Sequence, residues 1–162
     1  MARNPRSPIK PAIPRPGEGK RGREGYLGYL LRQANAAVRG AMERALADLD
    51  VTVPQFAVLT MVVAYPGLSG ADLARLTSLT PQTINVIVRN LERSGAIAKT
   101  AHAEHGRILQ LAATARGRAL RQRCRTRIME LERALQGLLR KDEQKIVRRW
   151  LTEVATTLMT DR

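Results

Sequence analysis

Residues 69–95 constrain the fold of this chain more than any other stretch. Ser69 stands three residues before Asp72, an acidic form of the capping box, and Leu73, Leu76 and Leu79 follow at helical spacing as a packing stripe. Thr80 and Pro81 then restart a helix at once, because threonine caps an N-terminus and proline suits the first helical position. This second helix turns Ile84, Ile87, Val88 and Leu91 to one side and Gln82, Thr83, Asn85, Arg89 and Arg93 to the other. Gly95, which is free to adopt a left-handed conformation, ends it. Two short helices joined by a tight turn are the organisation of a helix-turn-helix.

The polar face of the second helix has the chemistry of a base reader. Arginine matches guanine O6 and N7, asparagine and glutamine match adenine N6 and N7, and threonine bonds a phosphate or packs its methyl on thymine. After the helix, residues 96–100 alternate as a short strand, residues 101–107 are polar or small, and residues 108–111 read as a second strand. A helix-turn-helix followed by a hairpin is a winged helix. Its tip can probe a minor groove, and Arg107 is the candidate contact because narrow minor grooves attract guanidinium groups. The competing role for Arg107 is to bond wing carbonyls or Glu104 and so shape the loop.

Long amphipathic segments flank this region. Leu27, Leu30, Leu31, Val38, Met42, Ala45 and Leu49 give one helix with a single apolar face; Leu120, Cys124, Ile128, Leu131 and Leu135 give another. Asp142 can cap a last helix carrying Ile146, Trp150, Leu151, Val154 and Leu158. These helices hold more apolar residues than a small reader needs, which predicts a partner subunit. The expected class is mainly α, a winged helix-turn-helix with long N- and C-terminal dimerisation helices. Residues 1–24 form a flexible, basic, Pro-rich arm, 25–50 an N-terminal dimerisation helix, 51–114 the winged helix-turn-helix, and 115–162 the C-terminal dimerisation helices.

Charge narrows the partners. The net charge is +14, with seven Lys/Arg against two acids in residues 1–24 and thirteen against six in residues 115–162. Such an excess favours a polyanion; double-stranded DNA and an anionic membrane surface both satisfy the count. No run approaches the roughly 20 apolar residues that cross a bilayer, and Pro5, Pro8, Pro11 and Pro14 interrupt any signal-peptide core. The expectation is a cytoplasmic protein without a membrane partner. One cysteine excludes an internal disulfide, and Cys124 sits on an apolar face as a core or interface residue. Neither paired carboxylates nor a phosphate-cradling glycine loop is present, so the reading is a non-enzyme without cofactors. His102, Glu104 and His105 make too thin a set for a metal. Six arginines between Arg116 and Arg127, with no acid among them, form either a further DNA-facing surface or a solvated helix face.

From Tyr26 to Leu158 the chain resembles the MarR-type transcriptional regulators, on Gln55-Phe56-Ala57-Val58-Leu59, Pro66-Gly67-Leu68-Ser69-Gly70, Thr80-Pro81-Gln82-Thr83, Leu91-Glu92-Arg93-Ser94-Gly95 and Gly106-Arg107. The resemblance implies a homodimer holding two recognition helices about 34 Å apart on a pseudo-palindromic operator. It implies a repressor released by a small aromatic or lipophilic effector, with Gln82, Thr83, Asn85 and Arg89 facing the groove and Arg107 as the wing arginine. Two positions depart from many members: His105 replaces an acidic residue at the wing, and Val86 replaces an arginine in the recognition helix. His105 beside Arg107 is a candidate proton switch, neutral near pH 7 and repulsive to its neighbour on acidification. The alternative function is a nonspecific DNA-binding or protein-interaction winged-helix module without an effector.

Overall fold

Four N-caps cut the chain into its elements. Thr52 starts α2 (Val53–Ala64): its hydroxyl accepts from the Gln55 N–H, Gln55 Oε1 accepts from the Thr52 N–H, and Pro54 fits the first turn. Ser69 and Asp72 make the same reciprocal pair at α3 (Gly70–Thr77). Thr80 caps α4 (Pro81–Arg93) and Thr114 caps α5 (Ala115–Gly137). The remaining helices are α1 (Leu27–Leu46), prolonged by a 3-10 turn at Ala47–Leu49, and α6 (Lys141–Met159). This computed structural model describes residues 13–101 and 109–159. They divide into two units, one ending at Gly40 and one beginning at Ala41.

Asp142 does not cap α6. The helix begins at Lys141, so Arg140 takes the cap position and its N–H donates to Glu143 Oε2 at 2.8 Å. Asp142 lies within the first turn, where a negative charge suits the positive end of the helix dipole.

The wing is an antiparallel pair, β1 (Ile97–Ala101) and β2 (Leu109–Ala113), with Ile97 opposite Ala113 and Lys99 opposite Leu111. The first strand starts one residue later than the alternation predicts. The Ala96 N–H donates to the Leu91 carbonyl at 2.8 Å, which keeps that residue in the helix-to-strand turn. A further pairing was not legible in the sequence: the Gly67 N–H donates to the Leu111 carbonyl at 3.2 Å, and the Leu111 N–H to the Leu68 carbonyl at 3.0 Å. Two residues are too few to show a period. The wing tip with His102, Glu104, His105 and Arg107 lies outside the described residues, as does the beginning of the arm.

In the second unit, one core joins Val58, Leu59 and Val62 of α2, Leu73 of α3, the apolar face of α4, and Ala96, Ile97 and Leu111 of the wing. Full burial of each aliphatic side chain is worth about 1.5–3 kcal/mol, so this cluster holds the reader elements together. A second core packs Leu46, Leu49 and Val51 against Cys124 and Ile128 of α5. Leu76, expected in the α3 stripe, instead faces outward and is 50 % exposed, because Leu73 and the half-buried Leu79 already fill the contact with α4. In the first unit, local hydrogen bonds and a short turn lie within the span read as an arm. The Arg21 guanidinium donates to the Pro14 carbonyl at 2.9 Å and to Gln33 Oε1 of α1 at 3.2 Å, around a short 3-10 turn at Gly19–Arg21.

Candidate nucleic-acid interface

The turn between α3 and α4 is tight because Ser78 takes a left-handed conformation, φ 54°, and because the Leu79 N–H returns to the Ala74 carbonyl at 3.3 Å. Thr80 then accepts from the Thr83 N–H at 3.2 Å, and Pro81 occupies the first turn. Ile84, Ile87, Val88 and Leu91 are buried, which fixes the rotation of α4 and pushes its opposite face out.

Gln82, Thr83, Asn85, Arg89 and Arg93 are all exposed. At about 100° per residue, Gln82, Arg89 and Arg93 fall on one line opposite the buried stripe, with Asn85 on one flank and Thr83 on the other. Thr83 is partly committed: its hydroxyl lies 2.8 Å from that of Thr80, leaving its methyl as the freer group. Val86, 56 % exposed, sits between Gln82 and Arg89 on the same line. An exposed valine there was missed as a functional candidate, although its spacing from Gln82 and Arg89 could have found it. The wing is tied to the C-terminal turn of α4 by Lys99, whose Nζ donates to Glu92 Oε2 at 2.7 Å.

An open cleft of about 870 Å³ adjoins the end of α4. Leu46, Leu49, Val51, Leu91 and Leu120 supply apolar wall; Arg93, Arg116 and Arg123 bring three guanidiniums against the single carboxylate of Asp50. Arg93 therefore belongs both to the outward line of α4 and to the cleft. Of the other α5 arginines, Arg127 pairs with Asp48 at 2.7 Å and Arg118 donates to the Ala113 carbonyl at 2.7 Å. Burial pushes the Cys124 thiol up in pKa, and its side chain is fully enclosed in the second core. Among the described residues no three His, Cys, Asp or Glu side chains gather as a metal site, and no single helix is long and apolar enough to cross a membrane.

The profile of the MarR family matches residues 49–108. The HTH-type transcriptional repressor Rv2887 of Mycobacterium tuberculosis is 38 % identical over 130 residues, covering 80 % of this chain and 94 % of the repressor. The chain belongs to the MarR family. Two crystal structures of the Rv2887 member superpose with a TM-score of 0.66: one in complex with DNA, at 36 % identity over 80 % of this chain and 98 % of that one, and one in complex with salicylic acid, at 38 % over 82 % and 98 %. Another structure, the transcriptional repressor CouR bound to a 23-mer DNA duplex, reaches a TM-score of 0.75 at 26 % identity, over 80 % of this chain and 92 % of that one. As a member of the MarR family the chain is a mainly helical winged helix-turn-helix with long flanking helices.

Proposed function

We propose that this protein is a homodimeric repressor that binds a pseudo-palindromic duplex in a sequence-specific manner and is released by a small lipophilic anion. The outward line of α4 carries the reading. Four side chains of complementary chemistry stand on one face of a helix whose rotation the core fixes: Gln82 and Arg89 for base edges, Val86 for a thymine methyl, and Arg93 at the far end. Asn85 reads from one flank, and Thr83 contacts thymine or phosphate from the other. Arg107 serves as the minor-groove contact of the wing.

The dimer reading is supported by α6, in which no residue from Lys141 to Leu158 is buried and Ile146, Leu151 and Leu158 are 55 %, 43 % and 71 % exposed. Residues 25–50 and 115–162 are accordingly assigned to dimerisation, and residues 51–114 to DNA. The duplex complexes of Rv2887 and CouR support DNA as the partner; the salicylic acid complex of Rv2887 supports an aromatic acid as effector.

Selection of bound duplexes from a random pool tests the proposal. The expected product is a palindrome with half-sites about one helical turn apart and at least about a hundred-fold preference over random duplex at fixed salt. Recovery of unrelated sequences would replace it with nonspecific packing of DNA, which a net charge of +14 also favours. Arg89→Ala should narrow the specificity ratio, with a loss of about 1–3 kcal/mol on the operator and less on random duplex. Equal losses on every sequence would reassign Arg89 to phosphate.

A further inference from the structure

We propose that Lys99 and Glu92 are positioning residues for operator recognition: their ion pair holds the wing against one flank of α4, so that the base pairs beneath the wing are discriminated without either side chain touching DNA. The inference rests on the DNA-reading roles given to α4 and the wing above.

Strand alternation sets up the pair. Ile97 is buried, Ala98 and Thr100 are exposed, and Lys99 is half-buried on the same face as Ile97, opposite the buried Leu111. A lysine on that face keeps its ammonium wet only by carrying it past the apolar edge, and the Lys99 Nζ does so by donating to Glu92 Oε2 at 2.7 Å. On the α4 side, Glu92 follows Asn85 by two turns and so shares its flank, beside the outward line of Gln82 and Arg89.

The other ties of the hairpin lie at its base or on its far edge. The Thr114 hydroxyl donates to the Gly95 carbonyl at 2.6 Å, the Thr114 N–H to the Ala96 carbonyl at 3.1 Å, and Arg118 to the Ala113 carbonyl at 2.7 Å. The bonds of Leu111 to Gly67 and Leu68 use the edge of β2 that faces away from β1. Among the described residues, β1 has one side-chain bond to a helix, that of Lys99 to Glu92, and the rows Thr100–Gln110 and Ala101–Leu109 continue beyond it. The angle between hairpin and recognition helix is therefore set at this pair. With side chains 29 % and 40 % exposed, it adds little to stability, and its consequence is directional.

The sign of the Glu92 effect separates positioning from charge. A carboxylate one turn from Arg89 repels phosphate, so by charge alone Glu92→Gln tightens binding to every duplex. By positioning, the same substitution loses discrimination beneath the wing, whatever happens to general affinity.

The test uses the full-length protein, the duplex it selects and single-base-pair variants of that duplex, at one salt concentration. Glu92→Gln, Lys99→Met and the two combined should each lose about fivefold of the discrimination at base pairs beneath the wing, while discrimination beneath α4 stays within about twofold. The combined variant should be no worse than either single one, because both remove the same bond. Glu92→Lys combined with Lys99→Glu, which restores the attraction at unchanged net charge, should recover most of the loss; urea unfolding of all variants should match the unmutated protein. Unchanged discrimination in Glu92→Gln overturns the proposal, as does a charge exchange that recovers nothing. A loss in Lys99→Met that is equal on every duplex, with a salt slope smaller by about 1, makes Lys99 a phosphate contact and also overturns it. If no duplex is selected, the DNA reading has failed, and NMR order parameters of the free protein still decide the tether. Those of Ala98, Lys99 and Thr100 should fall in the neutral variants and return on charge exchange; unchanged values overturn it.

Discussion

Gly117 has very little room for a side chain. An added Cβ would stand 1.9 Å from the Ala96 carbonyl oxygen, which belongs to backbone that also accepts from the Thr114 N–H. Gly117→Ala must therefore push α5 away from the wing, and chemical unfolding should register a loss of about 2–3 kcal/mol. Gly28→Ala, where nothing lies within 4 Å, should be neutral or slightly stabilising in the same assay. Asp72 makes a prediction in pH. Hydrogen bonds from the Ser69 hydroxyl and N–H, and the neighbouring Arg75, hold its carboxyl below the ordinary 3.8. A lowered folded-state pKa stabilises above the unfolded value, and the effect is lost as pH falls through the folded one. The stability gap between the native protein and Asp72→Asn should thus be open at neutral pH and close below about pH 3.8. A gap unchanged down to pH 2 would assign the aspartate no electrostatic role.

Among the elements, α4 was the most legible in the sequence, and for a physical reason. Its cap, its proline and four apolar residues at three- and four-residue steps all specify one helix in one rotation, so its exposed residues follow. Sequence reasoning was weaker wherever a role depends on what the chain meets elsewhere. Leu76 fits the α3 period but finds no partner, and Ala96 fits a strand but is held in the preceding turn. The cleft was invisible, since Asp50, Asn90 and Arg116 come together only after folding. The joint between hairpin and α5 is of the same kind. The Thr114 hydroxyl donates to the Gly95 carbonyl at 2.6 Å and accepts from the Gly117 N–H at 3.0 Å, so one side chain both caps α5 and closes the base of the wing. Thr114→Val keeps the shape and removes both bonds; a loss of about 1–2 kcal/mol is expected on urea unfolding. No measurable change would mean that water replaces the hydroxyl at this joint.

At the scale of the whole molecule, the apolar content of α6 was legible but the identity of its partner was not, because one sequence cannot distinguish a fold's own core from a subunit contact. If the dimer reading holds, Leu151→Glu and Leu158→Glu should shift sedimentation toward a monomer and weaken duplex binding together, while the buried cluster around α4 stays folded. A dimer unaffected by both charges would direct attention to α1. On the reading of residues 1–24 as a DNA-contacting arm, replacing Arg15, Lys20 and Arg23, all exposed, with glutamine should flatten the salt dependence of duplex binding, by about 0.9 in slope for each phosphate that is no longer neutralised.

The bare flank of α6 reaches beyond assembly. From Lys141 to Leu158 no side chain of this helix is buried, so on the dimer reading little holds it once the second subunit departs, because most helical stability in proteins comes from packing of an apolar face. Dilution should then cost helicity as well as pairing, so that a cell's copy number sets the fraction of chains open to proteases, and scarcity shortens the regulator's lifetime.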